Sequence, residues 1–89
     1  MISGAHIRAA RGLLGWSSQE LAAVSGVGWS TIKRFEESGG IPPSRSGTLE
    51  RVKLALEAAG IEFIGDPIHS PGVRLRAKAD AAASLDADG

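Results

Sequence analysis

Trp29, Ser30 and Lys33 are spaced so that one helix would turn them away from Ile32 and Phe35, and burying that apolar pair exposes the polar set. Arg34 stands beside them. A Lys or Arg on such a face can bond the acceptor edge of guanine, and a Ser hydroxyl or backbone N–H can hold a phosphate. Trp29 offers one indole donor and a flat surface for a thymine methyl or a sugar. Arg8, Arg45 and Arg51 flank the stretch as candidate phosphate contacts. No other chemistry competes well. Ser17, Ser18, Asp66 and His69 form no nucleophile site, because no oxyanion-hole motif accompanies them. His6 and His69 lie far apart, lack acidic or Cys partners at ligand spacing and read as surface residues, so neither a metal nor a cofactor is expected. With no Cys there is no thiol nucleophile and no disulfide framework. A chain of 89 residues is also too short to enclose much of a substrate, so no enzyme activity is expected.

The elements that must position these residues follow from punctuation. Ser3 and Gly4 precede a run in which Ile7, Ala10 and Leu14 keep helical spacing, interrupted at Gly15 and Trp16. Ser17 stands three residues before Glu20, a capping-box spacing that predicts a second helix through about Ser25, ended by Gly26. A third runs from about Trp29 to Glu37 and stops at Gly39-Gly40. Ile41-Pro42-Pro43 must be extended, since each proline disfavours helix in the residue before it. The fourth begins near Thr48, stripes Leu49, Val52, Leu56 and Ala59 along one face and stops at Gly60. The period then changes: Ile61, Phe63, Val73 and Leu75 alternate with Glu62, Arg74 and Arg76, which predicts two short strands around a turn-rich segment and hence a hairpin. Residues 77–89, Ala and Asp with almost no large apolar side chain, read as a flexible tail. The chain thus divides at residues 1–60, 61–76 and 77–89.

Residues 18–35 satisfy the demands of a helix-turn-helix. Two short helices crossing steeply need a small residue at closest approach, and Ala22 stands there. The turn needs a residue that tolerates positive φ, which Gly26 supplies. Leu21, Val27, Ile32 and Phe35 occupy the positions that lock the pair onto the core. With Leu21-Ala22, Gly26-Val27, Thr31-Ile32 and Arg34-Phe35-Glu36 in order, residues 4–60 resemble the Xre/Cro-type helix-turn-helix family of phage repressors and bacterial regulators. Residues 59–64 and 72–76 resemble a strand extension found in a subset of small bacterial regulators. The resemblance implies a mainly α fold, a phage-repressor-like bundle of four to five helices followed by a short β-hairpin. It also implies that the second helix of the motif lies in the major groove of DNA, with Gly28, Trp29, Ser30, Lys33 and Arg34 facing the duplex. Ser18, Gln19, Thr31 and Arg45 complete the expected interface. Ser18 stands where the family often carries Gln, and Trp29 occupies the base-reading position. The same resemblance implies a structural ion pair between Arg11 and Glu36.

Bland readings stand beside these. Trp29 can be a surface aromatic covering a helix end, and Lys33 and Arg34 a solvated face paired with Glu36 or Glu37. Trp16 reads as a cap on the core with no ligand role. A lone hairpin leaves an unpaired edge, so Ile61, Phe63, Ile64, Val73 and Leu75 are expected to dimerise the chain, the alternative being a lid over its own fourth helix. The expected function is therefore a homodimeric, sequence-specific regulator of transcription, a repressor on a short palindromic operator. An antitoxin that also binds a toxin protein, and an interaction module without DNA binding, are the competing classes. The charge sums to zero, unusual for a nucleic-acid binder. Through Arg76, nine Lys and Arg face seven Asp and Glu, leaving a body of +2 and a tail of −2. The apolar share of 43% suits a soluble globular protein, and no apolar run approaches the roughly 18 residues of a membrane span. No membrane partner is expected, and a cytoplasmic, nucleoid-associated location is.

Overall fold

A computed structural model of the chain describes residues 1–44 and 47–76. Four helices, α1 (Gly4–Leu14), α2 (Ser18–Ser25), α3 (Trp29–Glu37) and α4 (Thr48–Ala58), precede strands β1 (Ile61–Ile64) and β2 (Gly72–Leu75). The helix ends follow local chemistry. Ser17 accepts from the Glu20 amide while the Glu20 carboxylate accepts from the Ser17 amide, and these reciprocal bonds satisfy two first-turn donors of α2. Gly26 ends α2 in the left-handed region at φ 72°, with its amide donating to the Ala22 carbonyl. Ser38, in extended conformation, ends α3 just before the expected Gly39-Gly40 stop.

Each helix contributes its periodic apolar face to one core. Ile7 and Ala10 of α1, Leu21 of α2, Ile32 and Phe35 of α3, and Leu49, Val52 and Leu56 of α4 are all buried, joined by Ile2, Val27 and Ile61. Full burial of a Leu, Ile or Phe stabilises by about 1.5–3 kcal/mol, so this cluster dominates the fold's cohesion. Trp16 packs against its margin, as expected, and so do Leu14, Ala22 and Ile41. Two helices come together closely at Gly4: a Cβ there would lie 2.5 Å from the Phe35 carbonyl oxygen and 2.8 Å from that of Ser38. Only glycine lets the start of α1 sit against the end of α3, where its amide donates to Gly40 across 3.1 Å.

The strands pair antiparallel, Ile61 opposite Leu75, Glu62 opposite Arg74, Phe63 opposite Val73 and Ile64 opposite Gly72. The hairpin is laid onto the helices of its own chain. β2 runs along α1 and β1 lies against α4. Ile61 is 2% exposed and belongs to the core, and Phe63 and Val73 pack half-buried against it. Those three side chains, expected at a subunit interface, serve the protein's own interior, whereas Ile64 at 46% and Leu75 at 41% remain exposed.

His6 corrects a sequence expectation. Expected at the surface, it is 2% exposed. Its Nδ1 accepts from the Ser3 amide at 3.3 Å, and the Ser3 hydroxyl accepts from the His6 amide, a capping box with His in place of the usual acid. That bond leaves the proton on Nε2, which donates to the Ile64 carbonyl at 3.2 Å. The ring edge also meets Phe63, with centroids 5.3 Å apart. One imidazole thus caps α1 and fastens β1 to it. His69 is exposed as expected, although its Nδ1 does find an acidic partner, Asp66, at 3.0 Å. The flexible-tail expectation for residues 77–89 lies outside the described residues. Among the described residues no helix is long and apolar enough to cross a membrane.

Candidate nucleic-acid interface

α2 and α3 are joined by the three residues 26–28 and pack on each other, while α4 braces α2 from another side. The turn is fastened twice. Val27 is buried below it, and Arg51 of α4 donates to the Gly26 carbonyl at 3.1 Å. Arg51, a candidate phosphate contact, thus uses one donor of an exposed guanidinium on the turn. Arg8 behaves likewise: its guanidinium donates to the Glu36 carbonyl near the end of α3.

A further clamp holds α3 to α1. Arg11 Nε lies 2.8 Å from Glu36 Oε2 and its terminal nitrogen 3.1 Å from Oε1, a two-pronged pair, while another nitrogen of the guanidinium donates to the Trp16 carbonyl at 2.9 Å. The Glu36 side chain is only 10% exposed. Hydrogen bonding to Glu36 raises the Arg11 pKa, opposed by partial burial and reinforced by the attraction between the charges. This is the ion pair expected between the first and third helices.

Held this way, α3 turns Ile32, Phe35 and Glu36 inward and leaves Trp29, Ser30, Lys33 and Arg34 exposed. Gly28 is its N-cap and offers no side chain to the first-turn amides. Trp29, 45% exposed, is not a loose surface aromatic. Its Nε1 donates to the Ser18 hydroxyl at 2.9 Å, and the Lys33 ammonium sits 4.9 Å above its ring centre. Ser18, the first residue of α2, is thereby tied to the first turn of α3, with Gln19 exposed beside it. The Arg34 guanidinium lies 5.8 Å over the Phe35 ring. Thr31 and Arg34 also line an open groove of about 440 Å³ with Phe35, Pro43, Ser44 and Thr48.

Of the sequence-predicted positions, Ser18, Gln19, Gly28, Trp29, Ser30, Thr31, Lys33 and Arg34 thus cluster on the α2–α3 surface, while Arg45 lies outside the described residues. Three participants were missed in these roles. Ser18 anchors the Trp29 indole, and Arg8 and Arg51 buttress backbone. The one sequence hint was the helical phase that puts Arg8 and Arg11 three residues apart on α1. Among the described residues no group of three or more His, Cys, Asp or Glu is placed to hold a metal ion. Beside the indole ring surface, the chemistry left to this face is donation: a hydroxyl, an ammonium, a guanidinium and an uncapped helix start suit a partner rich in anionic oxygens and acceptor edges. No protein-family profile matches the chain, and no curated protein sequence matches it.

Proposed function

We propose that this chain is a sequence-specific double-stranded DNA-binding regulator of transcription, a helix-turn-helix protein of the Xre/Cro type it resembles. In this reading it acts as a homodimeric repressor on a short palindromic operator. The observation that carries the reading is the division of α3: Ile32, Phe35 and Glu36 are buried and clamped, and Trp29, Ser30, Lys33 and Arg34 all face outward. A helix held by its buried side and donor-rich on its outer side is what the major groove admits. Lys33 reads a guanine through its O6 and N7 acceptors. Ser30, Gln19 and the uncapped amides at the start of α3 position the backbone phosphates. Two copies about a twofold axis present two such helices to successive grooves, which turns a few base pairs of readout into a palindrome.

The direct test is selection of bound fragments from random duplex DNA with the purified full chain. Enrichment of one short inverted repeat is expected. Enrichment no better than that of a Lys33→Ala/Arg34→Ala variant would reject the reading.

A further inference from the structure

We propose that Trp29 does not read a base but positions the residue that does, acting as a fixed platform that aims the Lys33 ammonium. The inference deepens the DNA-binding reading and rests on it. An indole has a single hydrogen-bond donor, and in Trp29 that donor is taken by the Ser18 hydroxyl at 2.9 Å. The ring therefore brings no donor to a base edge. Its two anchors come from different elements, the α3 backbone at its own Cα and the first residue of α2 at its Nε1, so the ring is pinned across the interhelix angle. Lys33, one helical turn further on, rests its ammonium over this pinned ring, 4.9 Å from the centre. A lysine on an exposed helix face has a flexible four-carbon stem, and attraction to a ring face confines it.

Confinement has a specific consequence. A free lysine can swing to the nearest acceptor or phosphate, so it binds many sequences about equally. A lysine held in one place meets the right acceptor without reordering and cannot follow a wrong one, so pre-organisation raises discrimination more than general affinity. Ser18, which accepts here, keeps its own hydroxyl proton to donate outward. Ser18, Trp29 and Lys33 form one unit whose readout is sequence preference.

The experiment measures binding of the full chain to the selected site, to that site with its Lys33-dependent base pair changed, and to unrelated duplex. Trp29→Ala is expected to reduce discrimination at that base pair about two- to fivefold, the size of an exposed cation–π contact, against roughly tenfold or more for Lys33→Ala at a bidentate contact. Its affinity for unrelated duplex should stay within about twofold. The double variant should be no less selective than Lys33→Ala alone, and Trp29→Phe, which keeps a ring face, should restore part of the preference. Independent, additive losses of discrimination in the double variant overturn the platform, as does an equal fall on all three duplexes, the mark of a sugar or phosphate contact. The unbound protein supplies a separate reading by nuclear magnetic resonance. Ser18→Ala should shift the Trp29 indole N–H signal and leave that of Trp16 in place; an unmoved Trp29 signal overturns the platform even where DNA binding is intact. A wild-type chain that selects no DNA, with the indole response present, rejects the DNA reading itself and the purpose assigned to the platform with it.

Discussion

Lys33 carries no structural duty beyond its contact with Trp29, so its removal should be felt in binding and hardly in folding. Lys33→Ala is expected to cost about 1–3 kcal/mol of discrimination at one base pair while the unfolding midpoint stays within error. Equal weakening on every sequence would make Lys33 a phosphate contact instead. Arg11 is the opposite case. Truncating it leaves the nearly buried Glu36 carboxylate without its two-pronged partner, and breaking a buried pair costs about 3–5 kcal/mol. Because the Arg11 side chain is 26% exposed and water can reach the gap, Arg11→Ala should fall below that range, at about 2–3 kcal/mol by urea unfolding. A loss below about 1 kcal/mol would mean the clamp does not hold α3.

At the scale of elements, the junction of α1 with α3 and the hairpin each rest on a feature that can be removed singly. Gly4→Ala drives a methyl to 2.5 Å from a backbone oxygen of Phe35, which cannot swing aside as a side chain would. Overpacking of that kind costs about 1–3 kcal/mol, and thermal unfolding should show it. The hairpin is held by carboxylates whose acidity its fold increases. The His69 and Ile68 amides, in that order, hold Asp66 below its usual carboxylate range, and Arg74, then Arg76, do the same for Glu62. A lowered pKa in the folded state means that this support is complete above the ordinary carboxylate range and is lost as pH falls through the lowered one. The Ile68 and His69 amides should therefore lose exchange protection on acidification, with no comparable change toward alkaline pH. Protection unchanged at pH 2 would remove Asp66 from the account.

For the molecule as a whole, the proposed dimer has less apolar surface to use than the alternation of the strands suggested. Ile61 is consumed by the core and Phe63 and Val73 mostly so, leaving Ile64 and Leu75 as the exposed apolar positions of the two strands. Sedimentation of the full chain is expected to give twice the 9.2 kDa chain mass at micromolar concentration, and Ile64→Lys to shift it toward monomer. A single 9.2 kDa species independent of dilution would end the dimer proposal.

The order of elements, their ends and most of the core were legible in the residues alone, because the interactions that set them reach only three or four positions. Ser17 finds Glu20 three residues on, Gly26 closes α2 on Ala22, and Leu49, Val52 and Leu56 mark one face by their spacing. The outward orientation of Trp29, Ser30 and Lys33 followed from the same periodicity. Partner choice across long separations was not legible. His6 and Ile64 are 58 positions apart, Arg51 and Gly26 are 25, and nothing in either neighbourhood names the other. Even the 11 positions between Ser18 and Trp29 cross a turn whose angle depends on Val27 and Arg51 beneath it. Local periodicity decides which side of a helix is buried; the packing of all the elements together decides which donor each acceptor meets, and that required the tertiary structure.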